Sequence, residues 1–252
     1  MNREAELEAC ISELRARLKA AGRELEALCH AVAHDVRAPL RGIEGFSQAL
    51  VDFHAAELSP EARELVGWIH DGSRRMSLLI EDLIKLAQIP SDPGPATAVD
   101  VARMAHAIVA ELRASSPGRQ VEVVIAPELG AFGDRQLLRL ALSHLLQNAW
   151  KFTSKHATAR LEIGKTGDPR DPTFFVRDDG AGFDAIRAPR LFGAFQRFHP
   201  AHEFEGRGIG LAIVRRVIDL HGGSIWAESA VERGATFFFT LGRGPERIRA
   251  AD

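Results

Sequence analysis

At 252 residues the chain has room for one or two domains with a buried core, and its 32 basic against 34 acidic residues leave a formal charge of −2. That balance excludes a general electrostatic pull toward nucleic acid or an anionic membrane. Cys10 and Cys29 fit no metal spacing or disulfide framework; no apolar run reaches the roughly 20 residues that cross a bilayer, and no secretory leader is read, so a cytoplasmic protein without a transmembrane segment is expected.

Residues 3–90 read as a helical hairpin. Leu7, Ile11, Leu14, Leu18, Ala21, Leu25, Leu28 and Val32 recur at steps alternating between four and three, a heptad seam. Leu65, Ile69, Gly72, Met76, Leu79, Leu83 and Leu86 repeat it on a second helix. Between the two, Ser59-Pro60-Glu61 has the order of an N-cap, a first helical position and a favourable first-turn acid. Two such seams in one chain pair poorly alone, so a homodimer building a four-helix bundle is expected.

His34 lies two positions beyond Val32, off the seam, and should face solvent. Its neighbour Asp35 can hold one ring nitrogen as N–H and leave the lone pair of the other free to attack. Pro39 removes a backbone donor and is expected to loosen the helix one turn later.

Ile89-Pro90-Ser91-Asp92-Pro93-Gly94-Pro95 is a breaker cluster. It sets the expected organisation: hairpin 1–90, linker 91–98, a mixed α/β domain over 99–245 and a tail, 246–252. Within that domain Val101–Ala114 is helical in period and Val121–Ala126 reads as a strand. Asp134 caps a helix running to Phe152. Strands are expected at Arg160–Lys165 and Thr173–Arg177, then an irregular stretch from Phe183 to Gly206, a helix Ile209–His221, and two last strands at Ser224–Glu228 and Ala235–Leu241.

Inside the helix begun by Asp134, the residues His144, Asn148, Lys151 and Phe152 share one face. Asn148 offers an oxygen suited to Mg²⁺, an ion that keeps several waters and needs few protein ligands, and Lys151 offers a point charge for phosphate. Alone, such a face is more often solvated surface. Asp178 ends an apolar strand, where its carboxylate can accept the exocyclic amino group of adenine. Gly180 and Gly182 let backbone close against a flat ring, although Asp-Asp-Gly-Ala-Gly by itself equally describes a tight turn. Gly206, Gly208 and Gly210 precede a helix and can present N–H groups and the positive dipole end to phosphate. Their spacing is not the dinucleotide fingerprint, because Leu211 stands where its third glycine would be.

In this order, after an exposed His-Asp pair, these features resemble the transmitter module of two-component sensor histidine kinases over nearly the whole chain. The phytochrome-like branch is the nearest pattern, through Gln147-Asn148-Ala149-Trp150-Lys151-Phe152-Thr153, Gln196-Arg197-Phe198-His199 and the run from Phe204 to Val214. The resemblance implies a dimerisation hairpin carrying the phosphoacceptor His34, then an α/β sandwich ATP-binding domain with a mixed sheet and a mobile lid opening at Leu191-Phe192-Gly193-Ala194-Phe195. It implies that Asn148 holds Mg²⁺, Lys151 meets phosphate, Asp178 reads adenine and Thr236 lies near it.

The expected activity is ATP-dependent autophosphorylation of His34, oriented by Asp35, followed by transfer to an aspartate of a response regulator, with input from an unidentified sensor. Gyrase-like ATPases carry Glu four residues before the Mg²⁺ Asn; here that residue is His144, so a hydrolytic base is missing. A non-enzymatic scaffold is the other alternative, kept open by His144, Asp179 and Arg207 where relatives commonly carry Asn, Asn and a small hydroxyl. Ala38 stands where many relatives carry Thr or Asn to position water. A weak phosphatase is expected.

Overall fold

The computed structural model describes residues 2–90, 92–169, 171–200, 203, 204 and 206–242. The expected tail, 246–252, and the side chains of the seam positions Leu7, Ile11, Leu18 and Leu25 lie outside what is described. The chain divides into two units, Met1–Ser91 and Asp92–Asp252.

The first unit is a helical hairpin of α1 (Asn2–His54) and α2 (Pro60–Ala87). Ser59 caps α2 as its sequence requires: the Ala62 amide donates to Ser59 Oγ at 3.2 Å, and Pro60 opens the first turn. The Glu61 carboxyl is held below its ordinary range by its own backbone amide and by Ser59. Pro39 lies inside α1 without ending it. The hairpin buries a different stripe from the seam read in the sequence. Ala33, Leu40 and Ser47, seven residues apart, are buried together with Val66, Ser73 and Asp82 of α2. The seam residue Val32 is exposed and is continued by exposed Val36, Ile43, Phe46, Leu50 and Phe53; on α2, Leu65, Ile69 and Met76 are exposed beside Trp68. One stripe closes the hairpin. The other, running from Val32 to Phe53 on α1 and through Leu65, Ile69 and Met76 on α2, stays open on its surface. No described helix is long and apolar enough to cross a membrane.

The second unit begins with a small antiparallel pair, β1 (Thr97–Asp100) and β3 (Gly130–Gly133), which flank α3 (Val101–Ser115) and β2 (Gln120–Ile125). Helix α4 (Arg135–Phe152) follows, then β4 (Thr158–Asp168), β5 (Asp171–Asp178), α5 (Gly210–Leu220), β6 (Ile225–Ser229) and β7 (Ala235–Phe239). The main sheet runs β2-β4-β5-β7-β6, with β2 and β4 parallel and every other pair antiparallel. One face packs on the helices. Leu161, Ile163, Phe174, Val176, Phe237 and Phe239 are buried on it, with Ile108 of α3, Leu145 and Leu146 of α4, and Val214, Val217 and Ile218 of α5 completing the core. The other face carries a half-exposed aromatic row in which Trp226 stacks on Phe238.

Both ends of α4 are tied down. At its start, Asp134 Oδ1 accepts the amides of Gln136 and Leu137. The Asp134 amide donates to His221 Nε2 at 3.0 Å, so His221 carries its proton on Nδ1 and donates it to the Val217 carbonyl. At its end, Thr153 Oγ1 donates back to Ala149, while Arg119 reaches in from the loop before β2 to bond the Trp150 carbonyl and Thr153 Oγ1. The guanidinium also lies over the Trp150 ring. Its planar fork makes two bonds at fixed angles, which an ammonium group cannot copy. Arg119→Lys is therefore expected to destabilise the protein by about 1–3 kcal/mol, and Thr153→Val by a similar amount, with the pair non-additive in chemical denaturation. An unchanged midpoint for Arg119→Lys would show that the fork is not what closes α4.

Candidate functional site

His34 stands on α1 with its side chain 82% exposed, beside an equally open Asp35. His34 Nδ1 lies 3.2 Å from Asp35 Oδ1. A carboxylate only accepts, so the contact puts the imidazole proton on Nδ1 and leaves the Nε2 lone pair facing outward. In an unbroken helix the amide of residue 39 would bond the carbonyl of residue 35. Pro39 has no amide to give, so the residue that orients His34 sits at a gap in the helical ladder. Ala38, also exposed, offers no polar side-chain atom to this surface.

In the second unit, α4 presents His144, Asn148 and Lys151 as a half-buried row flanking the stripe of Leu137, Leu138, Ala141, Leu142 and Leu145 that fills the core. A Cβ on Gly210 would lie 3.2 Å from His144 Nδ1, and one on Gly206 would lie 2.9 Å from Lys151 Nζ. The glycine segment before α5 is thus drawn tight along the polar face of α4. Gly208, at φ +76, passes so close to the Gln196 backbone that no side chain fits. Burial lowers the Lys151 pKa, and the nearby charge of Arg197 lowers it further. The two cations gather where an anion would relieve both.

The other pole of the site is Asp178. It is 4% exposed and accepts the Gly180 amide at 2.9 Å and the Ala235 amide. Burial nevertheless pushes its carboxyl up to about 6, against the pull of those two bonds and with help from Asp179. Gly182, at φ +60, approaches the Ala230 carbonyl too closely for any Cβ. Phe152 at the end of α4 meets His199 and Phe204 in a mutual ring contact, with centroids 5.1 Å apart for each pair. Burial holds His199 below its ordinary value despite a bond to the Gly182 backbone. Lys151 and Lys155 lie over the Phe152 and Phe204 rings. The stretch expected to be irregular contains a short 3₁₀ turn, Ala185–Arg190, and buries Leu191 and Phe192.

Asn148, Lys151, Gly206 and Gly210 are therefore brought together along α4, and Asp178, Gly180 and Gly182 form the strand-end pole. Thr236 is not brought to that pole. Asp178 pairs with Ala235 and Arg177 with Thr236, and neighbouring residues of a strand point to opposite faces. The Thr236 hydroxyl accepts from Arg177 Nε at 3.2 Å on the far face of the sheet. The residue beside Asp178 is Ala235. Sequence reasoning also left Arg197 without a role, although it stands in the quoted run Gln196–His199; its Nη2 donates to the Phe204 carbonyl, and its charge is felt at Lys151.

Asn148 supplies one neutral oxygen. Among the described residues no group of three His, Cys, Asp or Glu could hold a metal ion. A Mg²⁺ completed by phosphate oxygens and water fits that donor set.

Comparison with known proteins gives two family matches: the His Kinase A (phospho-acceptor) domain over residues 24–92, and the histidine kinase-, DNA gyrase B-, and HSP90-like ATPase over residues 133–245. Among curated proteins, the methanogenesis regulatory histidine kinase FilI of Methanothrix harundinacea is 31% identical over 227 residues, spanning 89% of this chain and 25% of that protein. Cyanobacterial phytochrome A of Nostoc is 31% identical, spanning 94% of this chain and 31% of its own length. The phytochrome-like protein Cph1 of Synechocystis is 29% identical over 92% of this chain and 31% of that protein. The chain thus spans 25–31% of the length of these relatives. Among solved structures, full-length ShkA in complex with AMPPNP superposes with a TM-score of 0.58 at 23% identity, over 85% of this chain and 45% of that one. A nucleotide-free catalytic domain of histidine kinase ThkA gives 0.51 at 21%, over 61% of this chain and 99% of its own. These two share the fold.

The raised Asp178 carboxyl sets a stability profile. An unfolded Asp titrates near 3.9 and the folded one near 6, so the folded state holds this proton more tightly. The resulting contribution is fully present below about pH 4 and is lost as pH rises through 6. Asp178→Asn should remove that part of the slope. Relative to wild type it should gain up to about 3 kcal/mol between pH 4 and pH 7.5 in urea unfolding, the full size of the shift. Parallel pH profiles for the two proteins would mean that Asp178 ionises normally.

Proposed function

We propose that this chain, which belongs to the sensor histidine kinases, phosphorylates its own His34 from ATP and passes the phosphoryl group to an aspartate of a response regulator. One observation carries the reading: a solvent-facing imidazole, held by Asp35 with its second nitrogen free, inside the stretch matched as a phospho-acceptor domain. A site whose buried carboxyl and paired cations suit the two ends of ATP supports it.

The residues divide the work by charge. Asp178, as carboxylate, accepts the adenine amino group. Lys151 and Arg197, with the N–H groups before α5, take the triphosphate. Asn148 holds Mg²⁺, which neutralises charge on the phosphates when bound. His34 Nε2 attacks the γ-phosphorus; the N–P bond forms as the bond to the β-phosphate oxygen breaks, and ADP leaves. Asp35 receives the Nδ1 proton as the ring becomes cationic. Such transfer rests on positioning and neutralisation more than on covalent help from the protein. The regulator aspartate then takes the phosphoryl group, and the imidazole regains its proton. Ala38 offers no side-chain atom to hold a water against an aspartyl phosphate, so the reverse, phosphatase reaction is weak. ATP places the protein in the cytoplasm, with a sensory segment or partner supplying the input.

The dimer follows from the open stripe of Val32, Val36, Ile43, Phe46, Leu50 and Phe53, which a second hairpin covers to make a four-helix bundle.

Two experiments test these readings. Incubation with labelled Mg-ATP should give a phosphate that is lost in acid and kept in base, and His34→Ala should abolish it while nucleotide still binds. A label that persists in His34→Ala removes that residue from the role. In sedimentation, the wild-type chain should be a dimer, and Met76→Glu and Leu83→Glu should shift it toward monomer. Unchanged association in both variants would set the stripe aside as the interface.

A further inference from the structure

We propose that Asp134 is a positioning residue for phosphoryl transfer: it pins the chain entering the ATP domain and thereby sets the length of the tether to the hairpin. The inference rests on the kinase reading above.

A helix N-cap needs one acceptor oxygen, and Oδ1 of Asp134 already fills that need with the amides of Gln136 and Leu137. The second oxygen is used elsewhere. Oδ2 accepts the Gly94 amide at 2.8 Å, across 40 positions of sequence. The approach is close enough that a Cβ on residue 94 would lie 2.6 Å from the same oxygen, so glycine is needed there. Burial works against the charge, but the amides of Leu137, Gly94 and Gln136 outweigh it and hold the carboxyl below its ordinary range. The Asp134 main chain is fixed too, with its amide on His221 and its carbonyl accepting from Leu138. The anchor for Gly94 is therefore rigid, and it is built into the first turn of α4, the helix that carries Asn148 and Lys151.

The tether is short and stiff. Helix α2 ends at Ala87 with Gln88 as its cap, and the connection to Gly94 contains Pro90 and Pro93. Beyond Gly94 comes Pro95, and the next ladder position is Thr97 of β1, paired with Gly133 of β3. Releasing Gly94 moves the anchored point by three residues, up to about 10 Å of added reach. A longer tether spreads the ATP domain over a larger volume and lowers the fraction of time in which nucleotide and His34 are aligned. A plain N-cap would have been served by Ser. The second carboxylate oxygen is what the tie requires.

Two substitutions break the tie from opposite sides. Asp134→Ser keeps an oxygen for the α4 cap and removes the acceptor for Gly94; Gly94→Ala keeps both carboxylate oxygens and crowds Oδ2, forcing the Gly94 amide away from it. In the full chain, each should lower the rate of His34 labelling at saturating Mg-ATP by about threefold to tenfold while the KM for ATP stays within about twofold. The double variant should be no slower than the slower single one, because both remove one contact. Hydrogen exchange at the Gly94 amide, which needs no activity, should speed up in Asp134→Ser. Faster exchange with an unchanged labelling rate overturns the proposal, and so does a KM rising in step with the loss of rate, which would mean that Asp134 acts through the nucleotide pocket. Additive losses in the double variant overturn it as well. Wild-type protein that takes no label overturns the kinase reading itself, whereas labelled wild type beside unaffected variants overturns only this inference.

Discussion

Helix α4 is held at both ends by side chains, and the row His144, Asn148 and Lys151 takes its position from it. Asp134 engages its first turn with carboxylate and carbonyl and ties it to His221 through its amide, while Thr153 and Arg119 close the carbonyls of its last turn. Between those ends, the leucine and alanine stripe locks rotation about the axis by packing on the sheet. A helix that can neither slide nor turn presents His144, Asn148 and Lys151 at constant heights. Gly210 then rests on His144, Gly206 on Lys151, and the rings of His199 and Phe204 on Phe152. Gly208 meets a different neighbour, since a side chain there would run into the Gln196 backbone.

The site also has an electrical direction. At one pole a buried carboxyl is pushed toward neutrality, and at the other burial and the charge of Arg197 lower the pKa of Lys151. Both strains come from desolvation without a counter-group, and both would be relieved by one elongated ligand carrying an amino-bearing ring at one end and anionic oxygens at the other. That polarity matches the kinase reading.

The hairpin separates its tasks by face in a similar way. Ala33, Leu40 and Ser47 are small or medium residues that let α2 come close, while the bulkier Ile43, Phe46, Leu50 and Phe53 stay outside. His34 and Asp35 lie off the buried stripe, and Pro39 leaves the Asp35 carbonyl without its usual helical donor. The exposed His-Asp pair and the packing therefore use different residues of the same helix.

Much of this was legible in the chain because it depends on local rules. The caps at Ser59 and Asp134 need only a side-chain oxygen next to exposed amides, and the polar face of α4 needs only a helical period, so both emerge from spacing. The heptad seam was legible as a stripe, but a stripe does not state which neighbour covers it; only the folded hairpin shows that α2 packs on Ala33, Leu40 and Ser47 instead. Strand phase was equally hidden. Because side chains alternate at every residue, Thr236 and Ala235 differ by one position and by a whole face of the sheet, and only the pairing of β5 with β7 decides that Ala235 lies beside Asp178. The pair β1 and β3 is too short to carry a period, and its strands are joined through an intervening helix and strand. Arg119 and Gly94 reach α4 across 31 and 40 positions of sequence, where no local pattern operates. Local chemistry was thus determined by the sequence itself: which residues cap, which can attack, which can bind phosphate. Tertiary structure alone decided which of them meet, because contact between distant segments depends on register and packing, which spacing along the chain does not encode.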